Sequence, residues 1–342
     1  MRWSATEPRL LTMTPVAHRF CIAPMMEWTD RHCRVFHRLL TQQAMLYTEM
    51  VTADAVRFGS RDRLLRFSAV EHPVAAQLGG SEPEAMAEAA RIVEGFGYDE
   101  VNVNIGCPSD RVQSGAFGAC LMREPETVGA VVGAMTKAVS IPVTVKCRIG
   151  VDDQDPGPAL DALVDAVADA GCRTVIVHAR KAWLNGLSPK ENRDVPPLDY
   201  GRVTRLKTER PALTVILNGG LGDLDQAVMA GETLDGVMLG RAAYQTPWLL
   251  SEVDRRFFGA PPRALDRHDV VGAMAEYAAR VARDDGTPIK AIARHMLGLF
   301  QGLPGARAWR RHLSETMHRA DAGTDVLCAA AAHVMTDQRQ AA

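Results

Sequence analysis

The residues with the clearest chemical potential lie in Val101–Pro108, which reads Val-Asn-Val-Asn-Ile-Gly-Cys-Pro. Apolar residues alternating with asparagine predict a strand, and Gly-Cys-Pro ends it because proline cannot donate to a strand ladder. One thiol, Cys107, is thereby placed at the carboxyl end of a strand beside the amide of Asn104. A buried structural cysteine is the alternative interpretation. We favour a catalytic Cys107, because barrel enzymes keep their chemistry at strand ends and Asn102 shares a strand face with Asn104 that a fully buried strand would keep apolar.

Short apolar segments alternate with helical patterns through the first two-thirds of the chain. They are Phe20–Met25, Met45–Met50, Val74–Leu78, Glu100–Ile105, Val143–Cys147, Thr174–His178, Leu213–Leu217 and Gly236–Leu239. The Ala-rich amphipathic stretches between them include Glu82–Gly95, Glu126–Val139 and Pro158–Ala170. This alternation predicts an α/β fold, a (β/α)8 TIM barrel. A doubly wound sheet is the structural alternative, but it usually carries Gly-x-Gly-x-x-Gly after its first strand, where this chain has Ala-Pro-Met-Met.

The sequence changes character after Pro247, and the Phe-Gly-Ala-Pro-Pro stretch at 258–262 predicts a linker. Helical periodicity follows in Asp269–Asp284, Pro288–Gly302, Ala306–Arg319 and Asp325–Thr336. We therefore predict a disordered leader at 1–17, a catalytic barrel at 18–258 and a helical domain at 261–342. Between Lys290 and Arg319 the chain has six lysines and arginines against one acid, Glu315. These residues form either a solvated helix face or a local nucleic-acid-binding surface.

The composition is that of a globular enzyme, with 47% hydrophobic residues among 342. A formal net charge of −2 excludes a globally basic nucleic-acid binder. No apolar run reaches the length of a membrane span, and Met1–Thr14 lacks the apolar region of a signal peptide, with Met13 a candidate start. The seven cysteines are scattered without a Cys-x-x-Cys pair, which argues against zinc or disulfides and fits a reducing cytoplasm. We expect a monomer without metal or membrane attachment.

Glycines stand at the ends of the last two predicted strands, as Asn218-Gly219-Gly220 and Gly240-Arg241. Glycines let backbone N–H groups approach an anion, a following helix N-terminus adds its dipole, and Arg241 adds a charged fork. Asn-Gly-Gly equally makes a simple turn. Because barrels commonly bind phosphate at loops seven and eight, we favour a phosphate site here.

Polar side chains at several other strand ends suit a flat, hydrogen-bonding ring. Gln77, Asn104 and Lys146 offer the donors that the carbonyls and ring nitrogens of a flavin need, and a cation near its N1–C2 edge stabilises the anionic reduced form. A salt bridge inside the barrel is the alternative for Lys146. His178 is either a packed core histidine or, in its His-Ala-Arg context, a ligand contact. The apolar residues expected beneath the ring are Ala23, Pro24 and Met25.

Together these strand ends resemble the tRNA-dihydrouridine synthases, flavoenzymes that reduce uridine in tRNA. The matching motifs are Ala-Pro-Met (23–25), Gln-Leu-Gly-Gly (77–80), Asn-Ile-Gly-Cys-Pro (104–108), Val-Lys-Cys-Arg (145–148), Val-His-Ala-Arg (177–180), Asn-Gly-Gly (218–220) and Gly-Arg (240–241). The resemblance covers Phe20 to about Arg319, and the set is specific although each motif alone is weak. The segment Arg180–Arg193 resembles the A subfamily in particular, which modifies positions 20 and 20a of the tRNA D-loop.

The resemblance implies roles for individual residues. The implied flavin contacts are Pro24, Met25, Met26, Gln77, Lys146, His178, Asn218, Gly219, Gly220, Gly240 and Arg241. The implied tRNA contacts are Asn104, at the target nucleotide, with Lys190, Arg193, Arg307 and Arg310. FMN is the implied cofactor, NADPH the implied reductant and tRNA the implied partner.

The implied chemistry fits the residue types. The C5–C6 double bond of uracil accepts hydride at C6 from reduced FMN, and a proton must then arrive at C5. A neutral thiol has an ordinary pKa near ~8.5, so we expect Cys107 to supply that proton. The target base must leave its stack, which is cheapest in an already distorted loop. Without a dinucleotide fingerprint, NADPH is expected to visit the flavin site itself.

Two other functions compete with this reading. A barrel flavoenzyme that reduces a free pyrimidine would need no basic helical domain. An RNA-binding protein with vestigial flavin chemistry would have no reason to keep Cys107, Lys146 and His178 together.

Overall fold

A closed barrel of parallel strands organises residues 18–335, the part of the chain that the computed structural model describes. The strands are β1 (Phe20–Ile22), β2 (Met45–Thr52), β3 (Val74–Gly79), β4 (Glu100–Ile105), β5 (Val143–Arg148), β6 (Thr174–His178), β7 (Thr214–Asn218) and β8 (Gly236–Leu239). Each strand pairs with its neighbour in sequence, and β8 closes the ring against β1. The predicted (β/α)8 barrel is confirmed. The predicted leader at 1–17 lies outside the described residues.

Helices follow the strands around the barrel and then continue beyond it. Those of the barrel region are α1 (Arg31–Leu40), α2 (Ala53–Phe58), α3 (Arg61–Leu65), α4 (Pro83–Gly95), α5 (Asp110–Ser114), α6 (Pro125–Ala138), α7 (Pro156–Asp169), α8 (Tyr200–Glu209), α9 (Leu224–Gly231), α10 (Arg241–Gln245) and α11 (Val253–Phe258). The later ones are α12 (Arg267–Asp285), α13 (Lys290–Ala293), α14 (Ala306–Thr316) and α15 (Asp325–Ala331). Short 3-10 segments are Ala69–Glu71, Gly118–Arg123, Glu191–Arg193, Pro247–Glu252 and Arg294–Met296.

Local sequence explains where the main helices begin. Proline stands at the first turn of α4, α6 and α7, where its missing N–H costs nothing. Aspartates cap α1, α8 and α9 by accepting backbone N–H groups. The Asp223 cap means that the N-terminus of α9, after the Asn-Gly-Gly turn, already holds a carboxylate. The helix that follows Gly240, α10, has no side-chain cap, and the phosphate site at these two strand ends stays a prediction.

The buried apolar side chains form two layers. The larger layer lies between strands and helices and continues into the C-terminal helices, so one core spans both regions. A smaller cluster fills the barrel interior with Cys21, Ala23, Met45, Tyr47, Ala75, Ile176, Ile216 and Met238. Gln77 on β3, Asn102 and Asn104 on β4, and Thr144 and Lys146 on β5 bring polar side chains into the same interior, and they include residues of the site described below. Within residues 18–335, every helix is too short or too polar to cross a membrane.

The C-terminal region differs from prediction in one segment. We expected one helix over Pro288–Gly302, but the chain forms only α13 and a 3-10 turn at 294–296, followed by turns. The N–H groups of Leu299, Gln301 and Leu303 each bond to the carbonyl three residues earlier instead of four, so the segment winds as tight turns. Gly298 lies against the barrel, where a Cβ would come within 2.2 Å of the Gln245 carbonyl oxygen. This segment also joins the barrel at Asp30, which pairs with Arg294 (2.6 Å) and His295 (3.0 Å).

Candidate active site

The turn after β4 holds Cys107 in a fixed backbone conformation. The Asn104 side-chain oxygen accepts the N–H groups of Gly106 (3.1 Å) and Cys107 (3.0 Å). The Cys107 sulfur lies 3.4 Å from Ser109 Oγ and is half-buried, whereas Cys21 and Cys147 are fully buried. Cys107 packs against the edge of the larger core, and the turn that carries it stands at the barrel's carboxyl-end mouth. Its catalytic role stays a prediction.

Gln77, Asn104 and Lys146 come together on the interior face of neighbouring strands. Asn104 donates to Gln77 across 2.8 Å, and the strand register places Asn104 beside Lys146. Gln77 and Asn104 each use one carboxamide N–H in these bonds, and each keeps the second N–H unused among the described residues. The three side chains predicted from the strand ends therefore lie together, and all three can donate hydrogen bonds at the mouth of the barrel.

Positive charge dominates this part of the barrel. Desolvation lowers the pKa of Lys146 to about 8, and the nearby Arg148 adds to the shift. The Lys146 ammonium has no acid partner among the described residues, which excludes the predicted alternative of a salt bridge there. Burial drives the pKa of His178 well below its usual value, and Arg148 and Lys146 lower it further, so this imidazole is neutral. The site is thus set up to receive an anion.

Arg148 connects the cysteine turn to the loop after β6 and was not singled out from the sequence. Its guanidinium donates to the carbonyls of Gly106 (3.2 Å), Lys181 (3.1 Å) and Asn192 (2.8 Å). Asn192 is fully buried and bonds to the backbone N–H and carbonyl of Trp183, which closes the loop on itself. A buried arginine directly after Lys146 and Cys147 was the available signal, but its carbonyl partners are set only by the tertiary fold.

The glycines after β7 are needed for a close approach. Gly219 and Gly220 have φ of +110° and +73°, which L side chains rarely adopt. A Cβ on Gly219 would lie 2.4 Å from His178 Cδ2, and one on Gly220 would lie 2.9 Å from the Tyr200 hydroxyl. The Asn218 carboxamide donates to the Met238 carbonyl (2.8 Å) and thereby connects β7 to β8.

Arg241 is already paired with an acid that sequence reasoning missed. Asp194 accepts from both terminal nitrogens of Arg241, at 2.7 and 3.2 Å. The hydrogen bond from Arg241 is also the main cause of the lowered pKa of Asp194. Both side chains are partly exposed, and Arg241 keeps donors beyond the two that Asp194 uses.

The end of β1 forms a tight turn next to β8. The Met25 carbonyl accepts the N–H groups of Trp28 (3.1 Å) and Thr29 (3.0 Å). A Cβ on Gly240 would lie 3.6 Å from the Met25 sulfur, so these two predicted contact residues are neighbours. Pro24 is half-buried, whereas Met26 is 57% exposed and lies at the surface.

The predicted tRNA contacts lie on two separate elements. Lys190 and Arg193 are exposed on the loop after β6, and Arg193 is close enough to Arg241 for the two charges to interact. Arg307 is exposed on α14, and Arg310 donates to Gln301 of the same region (2.7 Å). Among residues 18–335, no group of three or more His, Cys, Asp and Glu side chains is arranged to hold a metal ion.

Comparison with known proteins agrees with this geometry. The sequence model of the family described as "Dihydrouridine synthase (Dus)" matches residues 21–335. A protein of Xanthomonas campestris pv. campestris is 55% identical over 309 residues, 90% of this chain and 91% of that protein. One of Escherichia coli K12 is 55% identical over 310 residues (90% and 89%), and one of Vibrio cholerae is 53% identical over 310 residues (90% and 94%). All three are named "tRNA-dihydrouridine(20/20a) synthase". The chain therefore belongs to the dihydrouridine synthase family, as its strand-end motifs predicted.

Proposed function

We propose that this protein reduces uridine to 5,6-dihydrouridine at positions 20 and 20a of the tRNA D-loop, using FMN and NADPH. The observation that carries the proposal is the fixed placement of the Cys107 turn by Asn104, which is also bonded to Gln77 and lies beside Lys146. The Cys107 thiol, a proton donor, thereby lies close to Gln77 and Lys146, which can donate hydrogen bonds to a flat ring. The names of the relatives support the choice of tRNA positions.

The residues present fit a flavin mononucleotide. Gln77 offers an unused N–H donor, and the Lys146 ammonium lacks an acid partner within residues 18–335. The buried Nε of Arg180 has no hydrogen-bond partner among the described residues. Side chains at Gly219 and Gly220 would occupy the space after β7 where a ligand could approach the backbone. The residues proposed to hold FMN are Pro24, Met25, Met26, Gln77, Lys146, His178, Asn218, Gly219, Gly220, Gly240 and Arg241.

The phosphate end belongs at β7 and β8, where Arg241 keeps free donors although Asp194 engages it. The ring end belongs beside Lys146, whose charge suits an electron-rich flavin edge. Bound FMN, once reduced by NADPH, supplies the hydride that uracil accepts at C6.

This chain's own residues supply the proton and the geometry. The Cys107 thiol gives its proton to C5 of the uracil, and the Asn104 oxygen holds the backbone of that turn in place. The free N–H of Asn104 is suited to a uracil carbonyl, where negative charge develops as C6 is reduced. Arg148 fixes the same turn from its other side through the Gly106 carbonyl.

We propose that tRNA is held by phosphate contacts on two basic surfaces. The first is Lys190 with Arg193 on the loop after β6, and the second is Arg307 with Arg310 on α14. Residues 261–342 would then act as a tRNA-binding region beside the catalytic barrel at 18–258. Such contacts position the folded tRNA without reading its sequence.

The experiment is a substrate comparison with purified protein. We expect a yellow FMN complex whose NADPH oxidation is stimulated by unmodified tRNA and not by free uracil. Equal stimulation by free uracil would overturn the tRNA assignment in favour of a free-pyrimidine reductase. Tight tRNA binding by a protein that never retains FMN would instead indicate an RNA-binding protein.

A further inference from the structure

A chain of buried polar side chains crosses the barrel interior from the active-site mouth. Asn104 donates to Gln77, Gln77 donates to Asn102, and Asn102 donates to Thr144, each over 2.8 Å. The Thr144 hydroxyl then donates to Glu100 (2.6 Å). The five side chains are at most 8% exposed. The chain therefore links the Asn104 carboxamide to a carboxylate at the first residue of β4.

The direction of every bond in this chain is fixed at both ends. At the mouth, the Asn104 oxygen accepts two backbone N–H groups, so its NH2 must point to Gln77. Each following carboxamide accepts on its oxygen and donates onward. At the far end the Thr144 hydroxyl is the last donor, and a Glu100 side-chain oxygen accepts from it. Reversing any amide would set two donors or two acceptors against each other.

Two further residues hold the Glu100 carboxylate. Tyr47 donates to one oxygen (2.9 Å), and His18 lies 2.6 Å from the other. Burial alone would lower the pKa of His18, but Glu100 outweighs burial and raises it. The carboxylate thus has partners of its own besides Thr144.

We propose that Asn102, Thr144 and Glu100 are positioning residues that fix the carboxamides of Gln77 and Asn104, each with one N–H free for the bound flavin and uracil. The inference rests on the proposed function, because it concerns how that site is prepared for its ligands. Asn102, Thr144 and Glu100 would act without touching the flavin or the uracil. A side chain fixed before binding avoids the entropy cost of ordering it on binding.

A purely structural role predicts a different pattern. The rest of the barrel interior is filled by apolar side chains such as Ile176, Ile216 and Met238, which fill space without polar groups. Buried polar groups are costly unless every partner is satisfied. If the chain served only stability, losing any bond to Glu100 would have the same consequence, whether the bond lies on the path to Gln77 or off it.

The structure offers a matched pair of variants that separates these roles. Thr144→Val removes the hydroxyl on the path, and Tyr47→Phe removes a hydroxyl that also bonds Glu100 but lies off the path. Thr144→Ser restores the hydroxyl and serves as the rescue. The readouts are the dissociation constant of FMN for apoprotein and the visible absorption spectrum of the bound FMN.

We expect Thr144→Val to weaken FMN binding by about two- to tenfold, the cost of ordering one freed side chain. Its FMN absorption bands should shift, since hydrogen bonds to the ring tune its electronic properties. Tyr47→Phe and Thr144→Ser should match wild type in both readouts. Equal affinities and spectra for Thr144→Val and Tyr47→Phe would overturn the inference.

A second variant covers the possibility that Thr144→Val does not fold. Asn102→Leu removes the acceptor of Gln77 directly and leaves the Thr144–Glu100 bond in place. Asn102→Leu should show the same loss of FMN affinity and the same spectral shift as Thr144→Val. Wild-type FMN affinity and a wild-type spectrum for this variant would overturn the inference. If wild-type apoprotein itself fails to bind FMN, the proposed function has failed, which is a distinct outcome.

Discussion

The pH dependence of FMN binding should report the charge of Lys146. Desolvation and the neighbouring Arg148 lower the pKa of Lys146 to about 8 in the free protein. An FMN that uses this ammonium would stabilise its charged form and return the pKa towards the ordinary ~10.4. FMN binding would then take up a proton above pH ~8, so FMN affinity should be full below that pH and fall as the pH rises.

The magnitude follows from the two pKa values. With a free-protein pKa of about 8 and a bound pKa near ~10.4, the FMN dissociation constant should rise about 25-fold between pH ~7 and pH ~9.5. The second proton of a phosphate monoester leaves near pH ~6, below this range. His178 stays neutral throughout, because burial and the surrounding cations hold its pKa well below the usual value.

The assay is fluorescence titration of apoprotein with FMN across that pH range. Lys146→Arg is the matched variant, since a guanidinium stays charged and should give a nearly flat profile. Cys107→Ala is the control for the thiol near Lys146, and it should keep the wild-type slope because the slope comes from Lys146 itself. A wild-type profile as flat as that of Lys146→Arg would refute the placement of Lys146 at the flavin.

Three further perturbations test the chemistry, the tRNA surface and the C-terminal core. Cys107→Ala should keep FMN and its reduction by NADPH but lower dihydrouridine formation by ~10²–10⁴-fold in a single-turnover assay, and near-normal turnover would assign the proton to another donor. Replacing Arg307 and Arg310 by alanine should weaken tRNA binding and flatten its log–log salt slope by roughly 0.7–0.9 per lost contact, whereas Arg205→Ala, on the outer helix α8, should not. Trp309→Ala, at a fully buried position, should lower the free energy of unfolding by ~3–5 kcal/mol in urea titration, and a smaller loss would mean that the site collapses around the change.

The sequence predicted the barrel well because each strand combines an apolar pattern with a turn. Glu100–Ile105, Thr174–His178 and Gly236–Leu239 have the bounds that we predicted. The predicted first strand, Phe20–Met25, stops at Ile22 instead. Composition alone does not show where the pairing with β2 and β8 ends, and the following residues enter the Met25 turn.

The strand-end rule also explains why much of the candidate site was predictable. Residues at the carboxyl ends of parallel strands meet at one mouth, so Gln77, Asn104 and Lys146 had to be neighbours. The Asp194–Arg241 pair could not be predicted, because it joins residues 47 apart through the path of a loop.

The polar chain illustrates the same limit. Asn102 was noticed as a polar residue in a strand, but its partner Thr144 is 42 residues away, and Glu100 and His18 are separated by 82. Which of the polar residues in a strand point inward together depends on barrel closure and register, which a single sequence does not contain.

The most direct test of the central claim is mass-spectrometric mapping of tRNA after reaction. Purified protein, FMN and NADPH are incubated with unmodified tRNA, and Cys107→Ala protein is run in parallel. The account predicts that two hydrogens are gained at uridine 20, and at 20a where a tRNA has uridine there, with far less product from the variant. The account would be contradicted if dihydrouridine formed only at other uridines of the tRNA. It would also be contradicted if the tRNA stayed unmodified while free uracil was reduced.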